Sequence, residues 1–396
     1  MNTKLGVLPV DSTSAGHVLN LVRLGIAITR RELIRVTGLS RSTVTQRVDL
    51  LLAAGLLREF AGEAEGRGRP TGGLAFNEHF GHVLVARLHA ERAELAVLDL
   101  SGRVLHRREY PIVIGDGPES VLADVEARLG ALVADTGVNP TATIALGVGV
   151  PGPVDVSVGR VIQPPVMPGW HDYPVQDRLA ARLGVPVFVE NDANLMALGE
   201  QRSQWPGAPT LLLVKVDAGI GAGIVIDGRL YRGVDGGAGD IGHIRMHGHV
   251  ERCVCGAVGC LAAVASGTAL VEKLRNLGKD VSCVADVRAY VQRGDADAVA
   301  AARRAGQLAG EVLTTVVSVL NPEILVLAGD MAHTNGHFVT GLRELIYQRS
   351  LPRATRKLRV VTTKLGENAS AVGTVELVVD EMFAPAMVNA RLAPNR

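Results

Sequence analysis

The sequence predicts an α/β protein whose body consists of two similar lobes, preceded by a small winged helix-turn-helix domain. Three observations support this fold class. Short helical patterns separated by a Gly-containing turn fill the first part of the chain, whereas strand patterns followed by Gly- or Pro-rich loops recur in two halves of the remainder. In addition, 46 of the 396 residues are Gly, well above the usual ~7%, which indicates many tight loops beside strands.

Composition and charge limit the classes of protein to consider. Hydrophobic residues make up 47% of the chain, so it can bury large cores, and its length predicts two or three domains. The net charge of +1 implies no partner on its own, but residues 1–75 carry ten Lys and Arg against six Asp and Glu. Neither a signal-peptide pattern nor an apolar run of membrane-spanning length is present, so we expect a cytoplasmic protein with reduced thiols.

Residues 1–78 are predicted to form the winged helix-turn-helix domain. A first helical pattern begins near Val18, and Thr29 followed by Glu32 is a capping-box pattern at the start of a second helix. Ser40 caps a third helix. The apolar residues of this third helix that are expected to face inward are Val44, Val48, Leu51 and Leu52. Two short helices joined by a Gly-containing turn are typical of a helix-turn-helix.

The polar face of the third helix indicates double-stranded DNA as a partner. Side chains that can reach phosphates and base edges in a major groove follow its cap, and they are Arg41, Ser42, Thr43, Thr45, Gln46 and Arg47. Strand patterns at 56–60 and 74–76 flank a Gly-rich loop, in which Arg67 and Arg69 suit a narrow A·T-rich minor groove. A three-helix protein-interaction module with a solvated basic loop is the alternative. We favour DNA because the basic excess, the polar helix and the wing occur together.

Residues 79–396 are expected to form the two lobes. Strand patterns occur at 83–88, 94–100, 103–109, 143–150, 187–190, 211–216, 224–226, 320–327 and 359–362. A helical pattern covers about 118–135, and Asn191 and Asp192 open another helix directly after a strand. Because the order strand, Gly-rich turn, strand recurs in both halves, we expect two lobes around a ligand-binding cleft. The approximate boundaries are 79–205 for the first lobe, 206–365 for the second lobe and 366–396 for a C-terminal helix and tail.

The Gly-rich stretch Gly236–Gly267 contains three of the four cysteines of the chain. Cys253, Cys255 and Cys260 have the spacing C-x-C-x4-C, and His243 precedes the first of them by ten positions. One imidazole and three thiolates suit a tetrahedral structural Zn²⁺ site without an open coordination position. A disulfide framework would leave one thiol unpaired, and nothing else indicates secretion.

Three other residues bear on this metal site. His247 and His249 also lie near the cysteines and are alternative ligands. Cys283 lies in an apolar context between Val281 and Val284, so we expect it to be a small buried hydrophobic residue rather than a ligand.

The motifs around this stretch resemble those of a known family. The order G-H, C-x-C-G-x-x-G-C-L and A-S-G is similar to the zinc signature of the ROK family, which groups transcriptional repressors, open reading frames and sugar kinases. The sequences E-N-D-A-N at Glu190–Asn194 and P-G-P-V-D at Pro151–Asp155 extend the resemblance, which covers about residues 80–385. It implies the actin-like sugar kinase fold, a ribonuclease H-like arrangement of two α/β lobes.

The resemblance also implies which residues a sugar kinase would use. Asp192 stands at the position of the catalytic base, although an Asp there also suits a helix N-cap. The stretch corresponding to the phosphate-binding D-x-G-G-T runs from Ala86 to Glu91 and lacks both Asp and Gly. The stretch corresponding to G-T-G-x-G runs from Asp217 to Gly221 and lacks Thr. Two carboxylates facing a triphosphate would cost on the order of several kcal/mol unless a metal binds them, so we predict a catalytically inactive body.

The sugar side of the cleft is altered as well. The resemblance implies that a ligand would contact Asn191, Asp192, Asp240 and His243. Ala262 stands where the family has a Glu that holds sugar hydroxyls, and Val166 stands where it has an Asn. Because unpaired polar groups decide which ligands are rejected, these changes indicate a sugar held differently, a less polar ligand, or no ligand.

Together these features predict a ROK-type transcriptional repressor, which resembles the xylose- and N-acetylglucosamine-type regulators of the family. The winged helix binds an operator, and the kinase-like body senses a sugar or a sugar-derived ligand. Because two-fold symmetric regulators read half-sites about one DNA turn apart, we expect a homodimer or tetramer on an inverted repeat. The alternatives are an active ATP-dependent sugar kinase of the hexokinase type with a DNA-binding head, and a zinc-stapled interaction protein that binds neither DNA nor sugar.

Overall fold

The computed structural model describes residues 13–60 and 72–393, and its N-terminal part follows the predicted helix caps. The elements are α1 (Ala15–Arg23), α2 (Arg30–Thr37), α3 (Arg41–Ala53), β1 (Leu57–Phe60) and β2 (Gly73–Phe76). The Thr29 hydroxyl accepts a hydrogen bond from the Glu32 amide at 3.2 Å, and the Glu32 carboxylate accepts one from the Thr29 amide at 3.1 Å, so the capping box is confirmed. Ser40 caps α3 by accepting from the Thr43 amide at 3.1 Å.

The predicted inward face of α3 and the wing strands are also present. Val44, Val48 and Leu51 are buried, and Leu52 is partly buried. The strands β1 and β2 pair in antiparallel register, with Leu57 opposite Phe76. The predicted minor-groove arginines, Arg67 and Arg69, lie between these strands and outside the described residues.

The first lobe contains a five-stranded mixed sheet with helices packed against it. Its elements are β3 (His82–Leu88), β4 (Arg92–Asp99), β5 (Val104–Pro111), α4 (Pro118–Thr136), β6 (Thr143–Val150), β7 (Val154–Asp155), β8 (Arg160–Val161), α5 (Val175–Leu183), β9 (Val187–Asn191) and α6 (Asp192–Gln204). The strand order is β5-β4-β3-β6-β9, in which β6 runs parallel to β3 and β9. The helix α6 begins directly after β9, so its first residues lie at the carboxyl end of a parallel strand, where α/β folds bind ligands.

The second lobe repeats this plan with another five-stranded sheet. Its elements are β10 (Thr210–Val216), β11 (Ile220–Ile226), β12 (Arg229–Leu230), α7 (Leu261–Ala265), α8 (Gly267–Asn276), α9 (Val284–Gln292), α10 (Ala296–Leu320), β13 (Ile324–Ala328), α11 (His337–Arg349), α12 (Pro352–Thr355) and β14 (Arg359–Thr362). The strand order is β12-β11-β10-β13-β14, in which β13 runs parallel to β10 and β14. Two C-terminal helices follow, α13 (Asn368–Met382) and α14 (Pro385–Leu392). Of these, α13 packs against α6 and the first sheet.

Two predicted strand boundaries are wrong. Leu320 ends α10 rather than beginning a strand, and Asn321, with φ of 46°, turns the chain before β13 begins at Ile324. Apolar residues at the end of the helix and in the strand are separated only by residues 321–323, a short gap that hydrophobic periodicity does not resolve. The second strand of the second lobe begins at Ile220 rather than Ile224, because its glycines are strand positions that allow close approach of α6.

The N-terminal segment, which we call the head (residues 13–60 and 72–78), shares one hydrophobic core with the body. Buried side chains of α1 and α3 belong to the same cluster as Val83 of β3, Val375 of α13 and Phe383. The Phe383 ring packs edge-on against Phe76 of the head, with centroids 5.1 Å apart. The head is therefore packed against the first sheet and the C-terminal helices. Among the residues that the structure describes, no helix combines the length and apolar character that crossing a bilayer requires.

Candidate functional site

Asn191 and Asp192 lie at the junction of β9 and α6, where the two lobes meet. Asn191 is the N-cap of α6, since its side-chain oxygen accepts from the amides of Ala193 at 2.9 Å and Asn194 at 3.2 Å. Its side-chain nitrogen donates to the Gly152 carbonyl at 3.0 Å, which joins α6 to the predicted P-G-P loop. The alternative interpretation of Asp192 as the N-cap is therefore wrong, because Asp192 is the first helical residue.

Asp192 is paired with a cation that the sequence motifs did not indicate. Lys215 Nζ donates to Asp192 Oδ2 at 2.5 Å, and the two side chains are 14% and 9% exposed, respectively. Because Lys215 lies on β10, this ion pair joins the two lobes. Burial favours a higher pKa for Asp192, but the charge and hydrogen bond of Lys215 outweigh burial and hold the pKa below its ordinary value. The available signal was a single Lys within the apolar strand TLLLVKV, since an unpaired buried cation is costly.

Side chains of the body fill the stretch that corresponds to the first phosphate loop. The buried Arg87 donates through Nη1 to Glu94 Oε2 at 3.0 Å and to the carbonyl oxygen of Glu367 at 2.7 Å. Burial, together with the charges of Lys215 and Arg87, lowers the pKa of His89 to about 3, so this imidazole is neutral near pH 7. A buried ion pair and a neutral imidazole therefore occupy the stretch that the resemblance aligns with the first phosphate loop of the kinases.

Two carboxylates of the second lobe lie close together in the same cleft. Asp217 Oδ2 is 3.9 Å from Lys215 Nζ, and Asp330 accepts a hydrogen bond from Arg288 at 3.1 Å. Burial and the neighbouring Asp217 carboxylate raise the pKa of Asp330. Each carboxylate has a cation of the protein beside it.

Four side chains of the Gly-rich stretch form a cluster with metal-ligand geometry. The ligand atoms of His243, Cys253, Cys255 and Cys260 all lie within 4.8 Å of one another. Cys255 Sγ and Cys260 Sγ are 3.7 Å apart, and Cys253 Sγ is 3.5 Å from His243 Nδ1. A tetrahedral Zn²⁺ with Zn–S of ~2.3 Å and Zn–N of ~2.0 Å separates its ligand atoms by about 3.5–3.8 Å. These side chains therefore fit the predicted metal site.

Short-range turns create this cluster. The Met246 amide donates to the Gly259 carbonyl at 2.6 Å, and the Cys253 amide donates to the Ala257 carbonyl at 2.9 Å. Gly256 and Gly259 have φ angles of 86° and 75°, a conformation that favours glycine. The loop thus brings its sulfurs together without help from distant parts of the chain.

The other candidate ligands lie elsewhere. In the described part of the chain, neither His247 nor His249 belongs to the cluster, and His249 Nδ1 is 3.3 Å from the Glu251 carboxylate. Cys283 is exposed, so the prediction that it is buried is wrong. It occupies the N-cap position of α9, where the chain enters the helix from the surface, whereas the neighbouring Val281 is buried.

The predicted ligand-binding residues of the second lobe adjoin the metal cluster. Asp240 Oδ1 is 3.9 Å from His243 Nε2, while Nδ1 of the same ring faces the Cys253 sulfur. Arg232, which precedes Asp240 in the chain, donates to Glu190 Oε2 of β9 at 2.6 Å. This contact joins the segment that carries Asp240 and His243 to the first lobe. Asn191 and Asp192 thus come from the first lobe, and Asp240 and His243 from the second. Of the two altered positions, Ala262 is half-buried and Val166 is exposed.

The predicted DNA-contacting residues of α3 divide into two groups. Arg41, Ser42, Thr45 and Gln46 are exposed and line one shallow surface depression together with Asp49. Thr43 and Arg47 are half-buried and serve the fold of the head: the Thr43 hydroxyl lies 2.8 Å from that of Ser40, and Arg47 Nε donates to the Thr13 carbonyl at 3.2 Å.

Sequence comparison relates the chain to regulators. The ROK family pattern matches residues 83–381. A putative xylose repressor from Caldicellulosiruptor sp. (strain Rt8B.4) is 30% identical over 374 residues, covering 90% of this chain and 93% of that protein. The DNA-binding transcriptional dual regulator NagC of Escherichia coli (strain K12) is 28% identical over 390 residues, covering 94% of each.

Solved structures share the architecture. A ROK family transcriptional regulator, described as a homolog of the E. coli MLC protein, superimposes with a TM-score of 0.80 at 25% identity and covers 96% of this chain and 98% of that chain. A ROK family glucokinase from Streptomyces griseus, in complex with glucose and AMPPNP, superimposes with a TM-score of 0.66 at 27% identity. It covers 75% of this chain and 99% of that chain. The present chain therefore belongs to the ROK family and has the two-lobed, actin-like fold of its regulators and kinases.

Proposed function

We propose that this protein is a ROK-type transcriptional repressor that binds double-stranded DNA through its head and responds to a sugar or sugar-derived ligand. The observation that carries the proposal is the extent of the likeness to each class of relative. The repressor relatives match at least 90% of the chain, whereas the ROK glucokinase covers only 75% of it. The family pattern begins at residue 83, after the head, so the head is the part that a kinase does not need.

The helix α3 supplies the DNA-reading surface in this proposal. Arg41, Ser42, Thr45 and Gln46 share one exposed face, which suits base edges and phosphates in a major groove. Thr43 and Arg47, which are half-buried and hydrogen-bonded to Ser40 and Thr13, are proposed to contact phosphates at the edge of this face. Arg67 and Arg69 are proposed to enter the adjacent minor groove. Such a regulator acts in the cytoplasm, as a homodimer or tetramer on an inverted repeat.

The body is proposed to act as a sensor without phosphotransferase activity. A kinase needs a free carboxylate at the attacking hydroxyl and a cradle for the phosphates. Asp192 already holds Lys215 at 2.5 Å, and its lowered pKa makes it a weaker base. Arg87 and Asp217 stand at the two phosphate loops, and neither replaces glycine amides there.

A ligand that bears hydroxyl groups is the best match for the cleft. Asn191 is used in capping and Asp192 in its ion pair, so the Asp240 carboxylate and the Nε2 atom of His243 are the predicted contacts that remain for a ligand. The Asp240 side chain is 47% exposed and that of His243 is 25% exposed. A Zn²⁺ held by His243 and the three cysteines would cross-link the loop and fix the imidazole against Asp240.

Selection of genomic DNA tests the proposal. Full-length protein is incubated with fragmented genomic DNA, the bound fragments are sequenced, and a duplex carrying the enriched site is titrated by fluorescence anisotropy. We expect Arg41→Ala to weaken binding by about 5-fold or more, since a lost base contact is worth ~1–3 kcal/mol. The control Arg353→Ala removes the same charge from the exposed α12 and should leave affinity unchanged.

The kinase alternative has its own signature. ATP-dependent phosphorylation of D-xylose, D-glucose or N-acetylglucosamine, abolished by Asp192→Asn, would refute the sensor assignment. Absence of any enriched DNA sequence would refute the repressor assignment.

A further inference from the structure

A second group of charged side chains lies where the head meets the body, away from the cleft. Asp380, near the end of α13, accepts from two arginines: Arg23 Nη2 is 2.7 Å from its Oδ1, and Arg202 Nη2 is 2.8 Å from its Oδ2. Arg23 is the last residue of α1, and Arg202 lies in the last turn of α6. Within residues 13–60 and 72–393, Arg23–Asp380 is the one ion pair that joins the head to the body.

The opposite end of α6 lies in the cleft. Its first residue, Asp192, is paired with Lys215 of the second lobe. The helix has 13 residues and is therefore about 20 Å long. One rigid element thus extends from the ion pair between the lobes to the junction with the head.

The helices α6 and α13 pack too closely to slide past each other. A Cβ atom on Gly199 of α6 would overlap the carbonyl oxygen of Ala369, and a Cβ atom on Gly373 of α13 would overlap that of Leu195. Backbones in direct contact leave no layer of flexible side chains to absorb a displacement. We therefore expect the two helices to move together.

The junction itself aligns α1 on the C-terminal helices. The Gly16 amide donates to Asn389 Oδ1 at 2.9 Å, and Arg23 Nη2 also donates to Asn20 at 3.2 Å. Burial raises the pKa of the neighbouring Glu376, which makes no ion pair among the described residues. Asp380 is thus the carboxylate that bridges the two arginines.

We propose that Asp380 is a positioning residue that couples lobe closure to the orientation of the head. It holds the last turn of α6 and the end of α1 at once, so a change at the lobe interface is transmitted to α3. The coupling between the lobes and the head does not depend on the proposed function. Only its use, the control of DNA binding by a ligand, rests on that function. A ligand would change the orientation of the head only to the extent that it binds more tightly to one degree of lobe closure than to another.

Amide hydrogen exchange of the full-length protein, read by mass spectrometry, tests the coupling without DNA or ligand. Asp192→Asn removes the charge from the cleft pair and preserves the size of the side chain. In the wild-type background, we expect it to raise the exchange rates of α1 amides by about 5-fold or more. In the Asp380→Asn background, the same substitution should raise them by less than about 2-fold.

Two variants separate coupling from general loosening. Asp124→Asn removes a carboxylate of similar exposure, which pairs with Arg128 at 2.7 Å on α4, and should leave the α1 response intact. Arg202→Lys retains the charge beside Asp380 and should preserve much of the response. An equal rise in both Asp380 backgrounds, or no rise in the wild-type background, would overturn the proposal. Failure to bind DNA would count only against the repressor function, because no DNA is present in this experiment.

Discussion

Replacing Lys215 by Met tests the ion pair between the lobes. Lys215 Nζ and Asp192 Oδ2 are 2.5 Å apart, with side chains only 14% and 9% exposed. At an effective dielectric constant of ~20, the attraction at this distance is about 7 kcal/mol, and much of it offsets the desolvation of the two charges. Removing one partner leaves the other buried and uncompensated, so we expect the free energy of unfolding to fall by about 3–5 kcal/mol.

The pH dependence of stability provides a sharper signature. In the wild type the pKa of folded Asp192 is lowered, so its stabilising contribution is complete above the unfolded pKa of ~3.9 and is lost as the pH falls through the lower folded value. In Lys215→Met, the lysine charge no longer opposes the effect of burial, so we expect the pKa of Asp192 in the folded state to be raised. Asp192 then binds a proton more readily in the folded variant than in the unfolded chain. Lowering the pH from about 7 toward 5 should therefore reduce the difference in the free energy of unfolding between the variant and the wild type.

Thermal unfolding at pH 7 and pH 5 measures both effects. Unfolding entropy of ~2.1 cal/mol/K per residue makes 1 kcal/mol equivalent to about 1.2 °C in a chain of 396 residues, so Lys215→Met should melt about 4–6 °C below the wild type at pH 7. The control Lys279→Met breaks another Lys–Asp pair, 2.6 Å long, whose carboxylate is more exposed at 25%. Lys279→Met should lose far less stability, and its difference in melting point from the wild type should be the same at pH 5 as at pH 7. A Lys215→Met melting point within about 2 °C of the wild type at pH 7 would refute the reasoning.

Three other features can be tested through stability and binding. Cys255→Ser should lower the zinc content from one ion per chain, measured by elemental analysis, and lower the melting point, because metal binding and folding are coupled; metal-free wild-type protein that is soluble and stable would contradict the assignment. Gly373→Ala should destabilise by about 1–3 kcal/mol in chemical denaturation, because its Cβ would overlap the Leu195 carbonyl. The control Gly130→Ala, with nothing within 4 Å of the added atom, should gain about 0.5–1 kcal/mol, and equal effects of the two would argue against tight helix contact. D-xylose or N-acetylglucosamine at 100 times its Kd should stabilise the protein by about 2.7 kcal/mol, and a thermal shift that survives Asp240→Ala would argue against the proposed contact.

The features predicted correctly are those with local causes. The Thr29–Glu32 capping box spans four residues, and the Ser40 cap acts on an amide three residues later. The metal cluster needs turns within a short loop and one histidine ten positions upstream. In such cases the side chains that interact are neighbours in the chain, so their spacing already specifies the contact.

The features that were missed depend on other parts of the molecule. The Cys283 thiol is exposed because its helix begins at the surface, although the nearby Val281 and Val284 are apolar. Leu320 ends a helix rather than beginning a strand, and hydrophobic periodicity did not locate this boundary because apolar residues lie on both sides of it. Asp192 was identified as a site residue, but its partner Lys215 was not, since the pair forms only when two lobes meet.

Residue types and their spacing were sufficient to predict two α/β lobes, the capped helices and paired strands of the head, and a cluster of one His and three Cys, because hydrophobic periodicity, helix caps and short loops act over a few residues. Folding was needed to show that Lys215 neutralises Asp192 and that Asp380 bridges Arg23 and Arg202. These charges are far apart along the chain and meet only through the packing of sheets and helices, and a linear pattern carries no record of which distant charges become neighbours.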